Sequence, residues 1–315
     1  MKKRVVVTGL GVVSSIGIGA EEFWANALAG KSGISQIECF DTSMHYTHNG
    51  GEVKDFSYKK FLTSQEARLI GRSSQFAVAA AKMALKDAQM DLGFLRNGKV
   101  GVCIGTTVGE AQEIEKIDYI WAKQGADKVD RAHIMKYPVN NIASNVANVL
   151  KLECLNRMFT TACAAGNYAI GYGLDLIQLG KVQMALVGGA DSFSYQAFTG
   201  FNQVRAVAPE KCQPFDKNRK GMMVGEGAGM LILETLENAL KRKASIYAEI
   251  LGYGLSCDAN HMTNPHPDGI TRCINAALQN AGLTYKDVDY ICAHGTGTVF
   301  NDLAESKAIN NVFKE

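Results

Sequence analysis

The chain has 315 residues, 47% of them hydrophobic and 20% charged, with a formal net charge of +2. That composition is ordinary for a globular protein, and so near-neutral a balance argues against a general nucleic-acid or membrane-surface binder. The length exceeds a comfortable single core, so two packed halves are expected, and no uninterrupted apolar run of about 18 residues marks a membrane-spanning helix.

The opening MKKRVVVTGLGVVSSIGIGA has the basic, apolar and small-residue order of a secretory leader, but Thr8, Gly9, Gly11, Ser14 and Ser15 interrupt its apolar part. A strand over residues 4–8 entering a tight glycine turn fits better. A helix over 21–29 and an irregular connection over 41–60 follow, then a helix over 74–89 and a strand over 100–105. Residues 118–137 read as a second long irregular connection. The stretch 164–179 is rich in small residues and has no polar face, which predicts a helix buried in the middle of the protein. Apolar β-rich runs at 184–188, 229–234, 247–255 and 290–293 complete the pattern. Strands interleaved with helices indicate an α/β protein with buried sheets.

Eight cysteines, at 39, 103, 154, 163, 212, 257, 273 and 292, include no CxxC pair and do not cluster with histidine. Neither a zinc site nor a disulfide framework is read, and reduced thiols in a cytoplasm are expected.

Cys163, in TTACAAG at 160–166, stands just before the buried helix, where unpaired backbone N–H groups and the helix dipole favour a thiolate. Taken alone it is either a nucleophile or a structural cysteine. His294, in AHGTGT at 293–298, ends an apolar run and is followed by two glycines and two threonines. The glycines permit close backbone approach and the hydroxyls can bind a polar substrate arm, although a satisfied histidine in a capped turn has the same local look. Together they make a Cys/His pair that only folding can assemble.

Two glycine-rich stretches invite a cofactor reading. Gly225, Gly227 and Gly229 precede an apolar run but lack the GK[ST] ending of a phosphate loop, so a strand packed on another backbone is expected. Gly9-x-Gly11-x-x-Ser14 resembles a dinucleotide fingerprint with its third glycine replaced, and no strand with a terminal acid follows at the required interval. A nicotinamide-dependent oxidoreductase is the weaker reading, and it predicts saturable NAD(P) binding.

TTACAAG at 160–166, NRKGMMVGEGAGMLILE at 218–234, DANHMTNPHPDG at 258–269 and AHGTGT at 293–298 together resemble the elongating β-ketoacyl-carrier-protein synthases. KRVVVTGLGVVSSIG at 3–17 is similar to their opening, and the likeness runs in one order from Arg4 to about Lys307. The resemblance implies a thiolase-like fold of two related α/β halves in αβαβα layers. Residues 1–246 would carry the cysteine, and 247–315 would be an incomplete second half carrying HGTGT. It implies acyl transfer to Cys163 from a carrier-protein thioester. Decarboxylative Claisen condensation with a malonyl-carrier thioester would follow, with His294 stabilising the negative thioester oxygen. Thr296 and Thr298 would hold the pantetheine arm, and Val108 and Met222 would line the substrate site. No metal or organic cofactor is implied, since the phosphopantetheine arrives on the carrier.

The expected partners are an acyl carrier protein and a second copy of the chain, or a subunit that completes the second half; Arg68, Arg72, Lys136 and Arg205 are candidate carrier contacts. The resemblance also carries two departures. Relatives continue past the last residue here to a lysine, a second histidine and a glycine-rich loop, so Glu305, which matches the acid that pairs with that lysine, is expected without its partner. TACAAG replaces the serines that many relatives have after the cysteine. A non-catalytic ketosynthase-like subunit, or an inactive fragment, is therefore the alternative from a different class.

Overall fold

The computed structural model describes residues 2–91, 93, 95, 99–261 and 263–314; Met262, within the 258–269 motif, lies outside the described residues. Its first half runs β1 (Val5–Ser14), β2 (Gly17–Ile18), α1 (Ala20–Leu28), β3 (Ser35–Gln36), β4 (Asn49–Gly50), α2 (Ser64–Leu69), α3 (Arg72–Asp87), β5 (Val100–Gly105), α4 (Ala111–Gln124), α5 (Arg131–Lys136), α6 (Asn141–Leu150) and β6 (Cys154–Phe159). There follow α7 (Ala165–Gln178), β7 (Met184–Asp191), α8 (Tyr195–Gln203), β8 (Gly227–Thr235), α9 (Leu236–Lys241), β9 (Ala248–Glu249), α10 (Pro267–Ala281) and α11 (Val299–Phe313). The chain divides into two compact units. The first holds the residues up to Ser35 with Gly50–Phe198 and Gly225–Ile250, and the second holds Gln36–Asn49, Thr199–Val224 and the residues from Leu251 onward.

The first unit is built on a mixed sheet in the order β2-β1-β8-β7-β5-β6, with β9 also paired to β1. β5 runs parallel to β6 and β7, whereas β8 is antiparallel to both β7 and β1. Alternate residues of a strand face opposite sides of a sheet. Val100, Val102, Ile104, Met184, Leu186, Met230 and Ile232 therefore share one face, where they form a single core with the alanine-rich α3 and with Ile142, Val146 and Leu150 of α6. Residues of the other parity meet α7: a Cβ on Gly173 of that helix would come within 2.4 Å of Val187 and 3.4 Å of Ala185. The helix read as central is thus packed on the sheet, with Ala169, Leu174 and Ile177 fully buried.

Gly9 and Gly11 are not in a turn. β1 continues through them to Ser14, and a Cβ at Gly9 or Gly11 would lie 2.3 Å from the Ala84 carbonyl oxygen or 1.9 Å from that of Ala80. These glycines bring α3 close to the sheet, which is why the dinucleotide reading fails. Gly227 and Gly229 behave as expected, lying in β8 with their backbones against Val13 and Gly188.

Three other expectations are corrected. The stretch 118–137 is largely helical: α4 buries Ala111, Glu113 and Ile117, and Asp130 caps α5 by accepting from the Ala132 N–H at 2.9 Å. The run 247–255 is a strand only at Ala248–Glu249, held by β1; from Leu251 it lies against α10, where Gly254 lets the chain approach the Cys273 carbonyl. Residues 290–293 form no strand. Among the described residues no strand pairs with them, so their backbone has no ladder, and Tyr290 is 81% exposed.

The second unit centres on α10 and α11. Pro267 opens α10 behind the His266 cap, and Gly282 closes it in the left-handed conformation at φ 70°. α11 buries Asp302, Ala304, Glu305 and Ala308. Two of those four are acids, and they hold the loop that precedes the helix.

Candidate active site

Cys163 is exposed and sits in a single 3₁₀ turn, Ala162–Ala164, that runs directly into α7. Its neighbour Ala162 has φ 48°, a left-handed conformation that costs a non-glycine residue about 1 kcal/mol or more. The turn is seated by Gly105 at the end of β5, where a Cβ would lie 2.2 Å from the Ala165 carbonyl carbon. Three other thiols are unsuited to attack: burial pushes Cys103 up to about 12, and burial also raises Cys154 and Cys212.

The thiol opens on a cavity of about 360 Å³ lined by Val12–Ser14, Gly105–Thr107, Ala162, Cys163, Ala165, Gly166, Gly189–Asp191 and Glu226–Gly229. A Cβ at Gly166 or Gly229 would meet nothing within 4 Å, so these two glycines leave space open. Two carboxylates in the lining are already engaged. Asp191 receives the Thr106 hydroxyl at 2.6 Å and backbone N–H groups of the turn after β5, which places Val108 beside it, half-buried. Glu226 accepts from Arg72 at 2.7 and 2.9 Å, and from the N–H groups of Val53 and Phe193 at 2.9 Å each.

His294, Thr296, Thr298, Met222 and Glu305 belong to the second unit. Residues 293–298 pass from an irregular run into α11 through Gly295 at φ 50° and Gly297 at φ 72°. The Glu305 carboxylate holds the loop: one oxygen accepts the His294 N–H at 2.7 Å, and the other accepts the Gly295 N–H at 2.9 Å and the Asn301 amide at 3.2 Å. Asp302 does the same one turn earlier, taking the Gly297 N–H at 3.2 Å and the Phe215 N–H at 2.7 Å, with Arg219 at 3.5 Å. The Gly221 N–H donates to the Gly297 carbonyl at 3.0 Å, which brings the 221–222 segment alongside the loop; a side chain at 297 would lie 2.7 Å from the Gly221 oxygen. The hydroxyls of Thr296 and Thr298 meet at 2.8 Å, and the exposed His294 side chain sits on a loop anchored through its backbone.

The basic candidates divide. Arg72 is committed to Glu226 and lies 4.6 Å over the Phe76 ring; Lys136 is only 14% exposed and stands 4.0 Å from Glu113. Arg68 is exposed on α2, and Arg205 is exposed with its guanidinium 4.3 Å over Tyr46. Sequence reasoning missed Asp191, Glu226, Asp302 and Arg219. The available signal was an acid at the end of an apolar strand or among the glycines of a motif.

Among the described residues, no three His, Cys, Asp or Glu side chains gather as a metal site requires, and no helix is long and apolar enough to cross a membrane. A mixed sheet with helices layered on it is the thiolase-like fold of solved ketosynthases. The chain belongs to the β-ketoacyl synthase family: the family's N-terminal domain matches residues 2–239 and its C-terminal domain residues 247–315. It is 38% identical to a 3-oxoacyl-[acyl-carrier-protein] synthase 2 of Staphylococcus aureus, over 99% of this chain and 78% of that protein. To the enzyme of the same name in a Synechocystis strain it is 40% identical, over 98% and 76%. Among solved structures it is similar to the ishigamide ketosynthase/chain length factor, with TM-score 0.97 and 43% identity, covering 100% of this chain and 79% of that one. A type II polyketide acyl-carrier protein in complex with its ketosynthase gives TM-score 0.89 and 32% identity, covering 100% and 79%.

Proposed function

We propose that the chain is an elongating β-ketoacyl-carrier-protein synthase with Cys163 as its nucleophile. The observation that carries this reading is an exposed cysteine in the turn opening α7, set over a cavity that two side-chain-free glycines keep open. The Cys163 thiolate attacks the carbonyl carbon of an acyl-carrier thioester, the pantetheine thiol leaves with a proton, and the acyl group stays on sulfur. A malonyl-carrier thioester then loses carbon dioxide, and its carbanion attacks the acyl-cysteine carbon. The Cys163 thiolate is released and a β-ketoacyl product remains on the carrier. Negative charge builds on the malonyl thioester oxygen during decarboxylation, and a donor placed there by His294 lowers that barrier. Thr296 and Thr298 hold the pantetheine arm, and Val108 and Met222 contact substrate. The pantetheine belongs to the carrier, and thiolate, imidazole and hydroxyl groups suffice for each step without a resident cofactor.

The partners on this reading are an acyl carrier protein and a second subunit, either another copy of the chain or a chain-length-factor-like relative, all in a cytoplasm. Support for a second subunit comes from β6, whose outer edge pairs with no strand among the described residues. Beside it lies the half-buried aromatic group Phe159, Tyr168 and Tyr172. The deciding experiment is the intact mass of the folded protein after incubation with an acyl-carrier thioester. One added acyl group, mapped to Cys163, is the expected result; folded protein that gains none would overturn the reading.

Two variants separate the half-reactions. Gly105→Val should lower acylation at least roughly tenfold, because the new side chain displaces the Ala165 backbone that seats the nucleophile; single-turnover acylation followed by mass measures it. Glu305→Ala should lower condensation about 10²-fold while leaving acyl capture on Cys163 near its normal rate, because the groups that lose their acceptor are the His294 loop and the Asn301 amide beside it. Equal loss in both steps would show that Glu305 acts on general stability instead.

A further inference from the structure

Thr298 stands at the N-cap of α11 in an extended conformation, where a threonine ordinarily accepts a hydrogen bond from the first helical turn. Thr63 and Thr235, in the same place before α2 and α9, do so. The Thr298 side chain makes no cap. Its hydroxyl meets that of Thr296 at 2.8 Å instead, and the Thr296 oxygen lies 3.4 Å from the Thr298 N–H. Two hydroxyls joined by one hydrogen bond keep a second hydrogen that can be donated elsewhere. α11 therefore starts without its own cap, and a donor is held in reserve on the loop.

The backbone of this loop is gripped from residues 212–221, one carbonyl after another. The Thr296 carbonyl accepts from the Cys212 thiol at 3.4 Å, and the Gly297 carbonyl accepts the Gly221 N–H at 3.0 Å. Arg219 takes the next two: its Nε donates to the Thr298 carbonyl and its Nη2 to the Val299 carbonyl, both at 3.3 Å. Its Nη1 donates back to the Asp216 carbonyl at 3.0 Å. A guanidinium is a planar fork, so the three carbonyls it spans are fixed relative to one another. The placement also runs against the helix dipole, which disfavours a cation at an N-terminus. Asp302, 3.5 Å from Nε, offsets that cost. A helix start alone would be served by the cap that Thr298 withholds. What Arg219 adds is a fixed backbone under a hydroxyl that is kept for another partner.

We propose that Arg219 is a positioning residue for the thioester arm: by holding the Thr298 and Val299 carbonyls it keeps the Thr298 hydroxyl off the helix and paired with Thr296, ready to donate to an arm amide. The inference rests on the reading of Thr296 and Thr298 as contacts of the pantetheine arm. Without the guanidinium, Thr298 can turn its hydroxyl onto the first turn of α11, and the arm loses a donor.

The test compares two thioesters of one acyl group: acyl-pantetheine, and the acyl S-ethyl ester, which has the reacting carbonyl but no arm amides. Acylation of Cys163 is followed by intact mass to give a KM and a limiting rate for each. Arg219→Met should raise KM for acyl-pantetheine by roughly five- to tenfold, the worth of one lost hydrogen bond. Its limiting rate, and both constants for the ethyl ester, should stay near their original values. Arg219→Lys, which can meet one carbonyl but not all three, should recover part of the loss. Thr298→Val should cause a similar loss alone and add little to Arg219→Met, since the two act through one contact. Equal losses on both esters, or additive losses in the double variant, would make Arg219 a support of the fold and overturn the proposal. Should Arg219→Met not fold, an Arg219→Lys protein with an unaltered KM for acyl-pantetheine overturns it. Two failures of the unaltered protein would also remove it and are told apart: one KM for both esters refutes the arm reading of the threonines, and acylation by neither refutes the nucleophile.

Discussion

Cys163→Ala is expected to abolish covalent acyl capture and to lower condensation by a factor on the order of 10⁴–10⁶, the range found when the nucleophile of an acyl-transfer site is removed. The remaining apparatus cannot substitute, because the other thiols lack its setting. Cys103 is buried in β5 with its thiol pushed up to about 12, so essentially none of it is thiolate near neutrality. Cys39, Cys257 and Cys292 are exposed, but none lies in the turn at the start of α7. The measurement is a pair of readings on each protein: the mass gain after incubation with an acyl-carrier thioester, and the rate of β-ketoacyl-carrier formation. Persistent acylation of the Ala variant at a second cysteine would move the nucleophile elsewhere. His294→Ala provides the contrast. It should keep acylation and lose the second step, because its proposed task is stabilisation of the decarboxylating thioester.

The positions proposed as reactive could be picked out because each is announced by neighbours in the chain. TTACAAG places a cysteine before an apolar helix, and AHGTGT places a histidine before glycines and hydroxyls. The groups that hold them in place were not. Arg72 and Glu226 are 154 residues apart, and Asp191 and Thr106 are 85 apart. A carboxylate in a sequence does not reveal which backbone N–H groups it will meet. Gly9 and Gly11 show a second limit: glycine serves tight turns and close packing alike, and only the approach of α3 to β1 decides between them. The apolar run at 290–293 shows a third, since an extended segment becomes a strand only where another strand satisfies its backbone. Glu305 was expected as the acid that pairs with a lysine in relatives; that its carboxylate also accepts two backbone N–H groups of the His294 loop is a role that geometry alone discloses.

Glu226→Ala should destabilise the first unit by about 3–5 kcal/mol, the range for breaking a buried ion pair by removing one partner. The Glu226 side chain is 1% exposed and the Arg72 side chain 29%. Removal of the carboxylate takes the Glu226 partner from the guanidinium and leaves the Val53 and Phe193 N–H groups without that acceptor. Arg72 retains the Val53 carbonyl at 2.9 Å and the Phe76 ring. The melting temperature should fall by roughly 10 °C on ordinary scaling for a unit of this size. Arg72→Met should cost less, because Glu226 keeps its two backbone donors, and Arg72→Met combined with Glu226→Gln should be more stable than Glu226→Ala alone. That ordering separates a buried pair from two independent contacts, since independent losses would add. Function should follow stability: well below its melting temperature each variant should still take an acyl group on Cys163, because the pair supports the cavity wall at Gly227–Gly229 and touches no reacting atom. A melting temperature unchanged in Glu226→Ala would show that the wall stands without the pair, and the three segments joined at Glu226 would then need another account.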